Sequence, residues 1–196
     1  MAKKAQSTLI NMLLSLTVIA VVASGVLALV SAVTAEPIAK AQKAKKEAAV
    51  KAVLPPFDKI EEVTVEGETI TLAFNAAGET VGAAIESASE KGFGGHLGVM
   101  VGFDKEGNIT GYRVLETAET PGLGAKAGEW FQEGNKGDII GKPHAMPLTV
   151  AKDGGDVDAI SGSTITSRAF CEAINNAYQT FIKSSSAVPE KQEIEN

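Results

Sequence analysis

A short polar segment, Asp158-Ala159-Ile160-Ser161-Gly162-Ser163-Thr164, groups a carboxylate, three hydroxyls and a glycine directly before an apolar-periodic stretch. That stretch, residues 164–182, predicts an amphipathic helix, so the segment precedes a helix N-terminus. Free backbone amides and the positive end of the helix dipole attract negative charge there, which predicts a phosphate site. A helix cap explains the same residue types, and the residues alone leave both interpretations open.

A second segment combines a carboxylate, a proline and two glycines; it consists of Glu119, Thr120, Pro121, Gly122, Leu123 and Gly124. A tight connection explains this composition, because proline and glycine are typical of turns. The same composition suits a planar ligand, since glycines let main-chain groups approach a ring edge and Leu123 offers an apolar contact. The segment by itself does not distinguish a tight connection from a ligand-binding loop.

The remaining chemistry-bearing residues are few. Two histidines, His96 and His144, and one cysteine, Cys171, provide too few ligands for a metal site of the usual His/Cys type. We expect the histidines to be structural, Cys171 to be a small buried side chain, and Trp130 and Phe131 to belong to the core. Thr166 and Ser167 are expected to be hydroxyls on the surface of the helix.

The elements that must position these residues form an α+β domain over residues 57–183. Alternating β-branched residues predict antiparallel strands over residues 63–65, 69–74 and 80–85, and most clearly over 96–103 and 109–115, with a further strand over 148–151. A hairpin turn is expected around residues 66–68, and Gly92-Phe93-Gly94-Gly95 precedes one of the strands. A short helix is predicted over residues 126–133, and residues 184–196 read as a disordered tail.

An uncharged N-terminal stretch precedes this domain. Residues 9–33 carry no charged side chain and, as a helix, exceed the roughly 30 Å of a hydrocarbon layer, so they predict one transmembrane helix after a tail of residues 1–8. A cleaved signal peptide is the alternative, but its apolar region is usually about 7–15 residues. Residues 36–56 predict a separate Ala/Lys-rich linker helix that Pro55 and Pro56 end.

Charge limits the possible partners. The chain has 18 Lys+Arg against 24 Asp+Glu, a net charge of −6, without the basic footprint that nucleic-acid binding needs. Residues 56–196 alone carry 11 basic and 22 acidic side chains. Five lysines follow the apolar helix, and the positive-inside rule applied to them places the domain in the cytoplasm. These lysines either form a solvated face or contact anionic lipid head groups.

Taken together, the two segments resemble the FMN-binding domain family. Asp158, Ser161, Gly162, Ser163 and Thr164 are similar to its flavinylation motif, with Ser163 where alanine is commoner, and the resemblance extends to the 119–124 and 92–95 segments. With the N-terminal helix, the chain resembles the G subunits of Rnf ion-translocating electron-transport complexes. The C subunits of sodium-pumping NADH:quinone oxidoreductases are related.

The resemblance implies FMN joined by a phosphoester to Thr164, installed by a flavin transferase that recognises Asp158, Ser161, Gly162 and Ser163. It places Glu119, Thr120, Pro121, Gly122, Leu123 and Gly124 beside the isoalloxazine ring. It also implies other membrane and redox subunits as partners, and a single-pass inner-membrane protein with the flavin domain facing the periplasm. This placement conflicts with the lysine count.

Three hypotheses follow. The first is an electron-transfer subunit with covalent FMN, in a complex that couples electron transfer from ferredoxin to NAD+ with ion translocation. Such a subunit is not expected to catalyse a complete reaction alone. The second is the sodium-pump subunit, which carries the same cofactor among different partners. The third is a membrane-anchored binding domain without a redox role, in which both segments are only caps and turns.

Overall fold

A computed structural model describes residues 8–65, 68–141 and 147–187, with side chains described as far as Ser184. The chain forms two compact units, one ending at Ala44 and the other beginning at Lys45. The predicted turn residues Glu66 and Gly67, His144, and the tail residues 1–7 and 188–196 lie outside the described residues.

The N-terminal helix α1 runs from Leu9 to Val53. Two separate helices were predicted over residues 9–33 and 36–56, and this division is wrong: α1 is continuous and contains Pro37. Proline removes one helix hydrogen bond, but the alanines and lysines that flank it are strong helix formers and continue the helix. Among the described residues, α1 is long and apolar enough to cross a membrane by length and composition.

Within the described residues, the second unit contains a five-stranded antiparallel sheet in the order β1-β2-β3-β4-β5. The strands are β1 (Lys59–Val65), β2 (Glu68–Phe74), β3 (Thr80–Gly92), β4 (Gly95–Asp104) and β5 (Ile109–Thr117). Each strand pairs with its sequence neighbour, as the predicted hairpin and strand pair required. Strand β3 is longer than predicted, because it continues beyond Ile85 to Gly92 and pairs there with Gly95.

Two short helical pieces follow β5: a 3-10 helix, Gly124–Lys126, and α2, Ala127–Trp130. The strand predicted over residues 148–151 is wrong. Val150 forms one isolated parallel bridge with Val157, and a 3-10 helix, Ala151–Asp153, begins directly after it. The left-handed Gly154 that follows (φ +89°) turns the chain back, so the segment cannot extend as a strand.

The last helix, α3, runs from Thr164 to Ala187. The disordered tail predicted from residue 184 therefore begins too early: Ser184 is buried, and its hydroxyl donates to the carbonyl of Phe181 at 2.7 Å. That hydrogen bond satisfies a polar side chain that composition alone assigned to solvent.

The sheet has a core on each face. The larger core joins α3 to the sheet and includes the stacked rings of Phe131 and Phe170, whose centroids are 4.2 Å apart. The smaller one joins the last turns of α1 to the opposite face, through Ala49, Val50, Val53, Leu54, Ala73, Ala84, Met100 and Leu115. The prediction of an α+β fold with an antiparallel sheet and flanking helices is confirmed.

Candidate functional site

The first turn of α3 carries the central side chain of the site. Thr164 is the first residue of α3, and its side chain is neither buried nor fully exposed. Its Oγ1 accepts a hydrogen bond from the Nζ of Lys152 at 3.0 Å. A reachable hydroxyl at a helix N-terminus is therefore paired with a cation, which suits an anionic group attached at that oxygen.

The residues before Thr164 form a tight turn. Gly162 has φ +77°, a left-handed conformation that favours glycine. The amide of Ser163 donates to the carbonyl of Ile160 at 3.0 Å. Ser161 and Gly162 are exposed while Ser163 is buried, so the small side chain at position 163 meets a steric requirement. Asp158 is exposed, and its carbonyl accepts a 2.8 Å hydrogen bond from Nε1 of Trp130.

Ser167 fixes this turn from inside the helix. Its hydroxyl donates to the carbonyl of Ser163 at 3.0 Å and accepts from the amide of Ile160 at 2.9 Å. The expectation that Thr166 and Ser167 lie on the helix surface is wrong, because both are fully buried. Successive helix residues are rotated by about 100° around the axis, so Thr166 and Ser167 face the core although the flanking Ile165 and Arg168 are exposed.

The loop after β5 presents its polar and apolar groups in different directions. Glu119 is buried, and its Oε1 accepts a 3.3 Å hydrogen bond from the amide of Gly94. Thr120 starts a turn in which its carbonyl accepts from the amides of Leu123 and Ala125, at 3.1 and 3.2 Å. Pro121, Gly122 and Leu123 are exposed, Gly122 with φ +78°.

Three glycines pack closely around the Glu119 carboxylate. A Cβ on Gly92 would lie 2.7 Å from Glu119 Oε1, and a Cβ on Gly124 would collide with Oε2. A Cβ on Gly94 would lie 2.9 Å from the Glu119 amide. Gly92, Gly94 and Gly124 are therefore needed so that the two loops can close over a buried carboxylate.

The structure brings the 119–124 loop to the start of α3. Leu123 Cδ2 lies 3.7 Å from the position of a Cβ on Gly162, so the apolar tip of one segment contacts the glycine of the other. A Cβ on Gly124 would lie 2.7 Å from Thr166 Oγ1, which places the 119–124 loop against the first turn of α3. Leu123 and Gly162, which come from two distant segments of the sequence, thus lie near each other.

Other residues of the site were missed from the sequence. Lys152 was not predicted as a site residue, because it lies twelve positions before Thr164 and outside both segments. Arg168 was also missed. Its Nε and Nη2 donate to the two carboxylate oxygens of Asp153 at 2.6 and 2.7 Å. The available signal for Arg168 was its spacing, because a helical residue four positions after Thr164 lies on the same face of the helix.

The other candidates are structural. Phe131 is fully buried and Trp130 packs against the same core, as expected. Cys171 is buried, and burial raises the pKa of its thiol to about 12, so the thiol stays protonated. His96 is exposed at the start of β4, with Nδ1 2.5 Å from Glu90 Oε1. His144 lies outside the described residues.

One more buried group lies behind the site. The Tyr112 hydroxyl donates to the carbonyl of Ala127 at 2.7 Å and accepts from the amide of Phe131 at 3.2 Å. Burial raises the pKa of Tyr112 above its usual range. This neutral hydroxyl holds α2 against β5 and so stabilises the end of the segment that carries Leu123.

Chemically, the arrangement offers a hydroxyl oxygen beside an ammonium group and, next to it, an apolar side chain on a glycine-rich loop. The first pair suits a phosphate ester, and the second suits the face or edge of a ring.

Comparison with known proteins gives consistent results. A family model described as FMN-binding domain matches residues 92–179. The G subunit of the ion-translocating oxidoreductase complex of Yersinia pestis is 30% identical over 180 residues, which cover 84% of this chain and 86% of that protein.

Two further similarities cover less. The protein of the same name in Shewanella baltica is 37% identical over 110 residues, 54% of this chain and about half (51%) of that protein. The crystal structure of Shewanella oneidensis NqrC aligns with 62% of this chain and 62% of its own, at 22% identity and a TM-score of 0.43.

Proposed function

Because the chain belongs to the family of the G subunits of ion-translocating oxidoreductase complexes, we propose that it is an electron-transfer subunit carrying covalent FMN. The attachment is a phosphoester to Oγ1 of Thr164. When bound, FMN accepts and passes on electrons, which is the redox chemistry that the protein side chains lack. The match of residues 92–179 to an FMN-binding domain supports the identity of the cofactor.

The 3.0 Å contact between Lys152 Nζ and Thr164 Oγ1 is the observation that carries this proposal. A phosphoester at this oxygen brings negative charge to the first turn of a 24-residue helix, next to an ammonium group. The helix dipole stabilises such a charge by about 0.3–1 kcal/mol, and a charge-assisted hydrogen bond adds to it. The residues present therefore fit the phosphate end of FMN.

The adjacent loop fits the ring end. Leu123 is 46% exposed although it is apolar, and it lies against Gly162 two residues before Thr164. In our proposal Thr120, Pro121, Gly122 and Leu123 line the ring, while buried Glu119 and Gly124 hold the loop in shape. Leu123 excludes water from one side of the ring, and the exposed backbone offers hydrogen bonds to its polar edge.

A covalent bond between FMN and the subunit prevents the cofactor from dissociating, which binding affinity alone does not. A subunit that passes electrons between fixed carriers stops the series of transfers whenever its cofactor dissociates. Attachment through the phosphate leaves the redox ring unmodified, so the protein tunes it only by contacts and charge. We propose that a flavin transferase transfers FMN from FAD to the Thr164 oxygen, with release of AMP and the hydroxyl proton. The transferase recognises exposed Asp158, Ser161 and Gly162, together with the small Ser163.

The proposal extends to the membrane and the complex. Helix α1 anchors the subunit, and the complex couples electron transfer from ferredoxin to NAD+ with ion translocation. The flavin domain lies on the periplasmic side, since a long soluble domain can be exported despite a local lysine bias. Protease accessibility of the domain in right-side-out and inverted membrane vesicles tests this placement, and cleavage only in inverted vesicles contradicts it.

The attachment site is tested by replacing one hydroxyl. Thr164→Ala should abolish flavin fluorescence of the chain in a denaturing gel and the FMN-sized mass increase of the peptide containing residues 158–168. Thr180→Ala is the matched control, because Thr180 lies on the same helix with its hydroxyl bonded to the carbonyl of Asn176 at 3.2 Å. Flavin that remains on Thr164→Ala in cells containing the transferase refutes the attachment site.

A further inference from the structure

Two residues one helical turn apart on α3 hold two consecutive residues of the 151–153 turn. Thr164 and Arg168 are separated by four positions and therefore lie on the same face of α3. Thr164 Oγ1 contacts the Nζ of Lys152, and Arg168 donates to both carboxylate oxygens of the next residue, Asp153. Side chains of α3 thus form hydrogen bonds with two consecutive residues of the turn.

The 151–153 turn is closed by backbone hydrogen bonds and joined to α3 through the side chain of Asp153. Backbone hydrogen bonds close it at its start: the amide of Ala151 donates to Val157 and that of Asp153 to Val150, both at 2.8 Å. The amides of the two exposed glycines that follow, Gly154 and Gly155, donate to the carbonyls of Ala151 and Val150, both at 3.2 Å. The paired Arg168 and Asp153 side chains connect this end of the turn to α3.

Lys152 depends on such a connection. Its side chain is exposed, and ordering the flexible lysine stem costs rotamer entropy that a single hydrogen bond to a hydroxyl hardly offsets. Arginine, in contrast, presents a planar fork that matches a carboxylate with two parallel hydrogen bonds. The fork at Asp153 fixes the backbone of the neighbouring residue and so restricts where the lysine ammonium can lie.

The charges of Asp153, Arg168 and Lys152 support different roles for Arg168 and Lys152. The hydrogen bonds from Arg168 hold the pKa of Asp153 below its usual range and raise that of Arg168, so both stay ionised and neutralise each other. Lys152 forms its hydrogen bond with a neutral hydroxyl instead. Its positive charge therefore remains available for an anion at Thr164.

We propose that the Arg168–Asp153 ion pair is a positioning device that sets the Lys152 ammonium beside the Thr164 oxygen, where it pairs with the charge of a flavin phosphoester. Arg168 and Asp153 contact neither the oxygen nor the phosphate; they act through Lys152. The inference rests on the proposed function, because it assigns these residues a role toward the phosphate attached at Thr164.

The experiment follows the initial rate at which the full-length chain acquires FMN. Membranes containing the chain without flavin are mixed with flavin transferase and FAD, and intact mass gives the loaded fraction over time. Arg168→Gln should load about 3–10-fold more slowly than the wild type, and Lys152→Ala at least as slowly. An Arg168→Gln rate equal to the wild-type rate overturns the proposal.

Asp153→Asn separates positioning from bulk electrostatics. If only the net charge near Thr164 mattered, removal of this carboxylate would speed loading, because it makes the surroundings more positive. Positioning predicts slower loading, as for Arg168→Gln, since either variant breaks the same fork. Faster loading of Asp153→Asn therefore overturns the proposal.

A double-variant cycle tests whether the pair acts through Lys152. In a chain that already carries Lys152→Ala, adding Arg168→Gln should change the loading rate less than about twofold. If Arg168 had an independent structural role, the same addition would again slow loading by about 3–10-fold. The full loss overturns the proposal.

Lys59→Gln is the matched control, because it breaks an exposed ion pair on β1, Lys59 with Glu61 at 2.6 Å, and should load at the wild-type rate. Melting temperatures of all variants show whether slower loading reflects lost folding. A wild-type chain that acquires flavin at a residue other than Thr164, or none, refutes the proposed function and this inference together. Normal loading of the wild type and of Arg168→Gln refutes the inference alone.

Discussion

At the scale of single residues, two neighbouring hydroxyls on α3 show what residue type leaves open. Thr166 and Ser167 are adjacent and both fully buried. Ser167 makes two hydrogen bonds that shape the turn before Thr164. Within the described part of the chain, Thr166 Oγ1 has no hydrogen-bond partner, although it lies near Gly124 and the Glu119 carboxylate. One hydroxyl is thus structural and the other costs stability.

This difference predicts opposite effects of removing each hydroxyl from the flavin-free protein. Thr166→Val keeps the shape and should raise the free energy of unfolding by about 1 kcal/mol, because an unsatisfied buried hydroxyl carries a desolvation cost. Ser167→Ala should lower it by about 1–2 kcal/mol, since the amide of Ile160 loses its acceptor. Urea unfolding measures both. A loss of stability in Thr166→Val comparable to that in Ser167→Ala contradicts the prediction.

His96 gives a pH dependence with a definite sign. The hydrogen bond with Glu90, and then the charges of Glu90 and Glu116, raise the pKa of His96 above 6.5. The stabilisation from the protonated ring is therefore fully present below pH 6.5 and is lost as the pH rises through the raised value. The effect is small, because the His96 side chain is 44% exposed.

We expect His96→Gln to be less stable than the wild type at about pH 5.5 and to approach it at about pH 9. Denaturant unfolding across this range measures the gap. Glu90→Gln serves as the control, since it should lower the His96 pKa in a proton NMR titration. A gap between wild type and His96→Gln that widens toward alkaline pH contradicts the assignment.

At the scale of elements, two paired glycines of the sheet lie directly beneath the C-terminal end of α1. Gly102 on β4 pairs with Gly111 on β5. A Cβ on Gly102 would collide with the Val53 carbonyl, and one on Gly111 would lie 3.1 Å from Val53 Cα. The same carbonyl accepts a 2.6 Å hydrogen bond from the hydroxyl of Thr110. The missing side chains therefore let the last turn of α1 approach the sheet backbone.

Gly102→Ala should lower the free energy of unfolding by at least about 2 kcal/mol, because the obstructing atom belongs to the backbone and cannot rotate away. Gly128→Ala is the matched control: its Cβ would meet nothing within 4 Å, and alanine favours the short α2. Thermal unfolding of the two variants compares them. Equal melting temperatures would show that α1 does not pack closely here.

At the scale of the whole molecule, the folded domain begins inside α1. The second compact unit starts at Lys45, and residues 49, 50, 53 and 54 of that segment are buried against the sheet. Lys46 also forms a 2.7 Å ion pair with Glu86 on β3, and Lys45 Nζ donates to the carbonyl of Leu115. Two lysines that the sequence assigned to a linker thus bind to the domain.

Two truncations test this boundary. A chain that starts at Lys45 should fold and unfold cooperatively, whereas one that starts at Pro55 loses the buried Val50, Val53 and Leu54. Burial of each such side chain contributes about 1.5–3 kcal/mol, so the shorter chain should lose several kcal/mol and bind a hydrophobic dye. Near-identical melting temperatures of the two chains would place the boundary after α1.

Much of the fold was predictable, because alternation, turn residues and helical periodicity are local signals. These predicted β1, β2, β4, β5 and α3 near their observed positions. The failures have physical causes: Pro37 does not break a helix flanked by strong helix formers, and a left-handed glycine diverts the segment after Val150. The full length of β3 depends on pairing with β4, which local sequence does not encode.

The sequence alone determined the chemical types at the site: a threonine after Ser161-Gly162-Ser163 at a helix start, a glycine-rich loop with Leu123, and the membership in a family of flavin-binding subunits. Those types are written in consecutive residues, so reading the chain suffices. Only the tertiary structure decided that Lys152 reaches Thr164, that Arg168 holds Asp153, and that Glu119 and Thr166 face inward. These contacts join segments through the packing of α3 on the sheet, and side-chain direction and distance arise only when the elements pack.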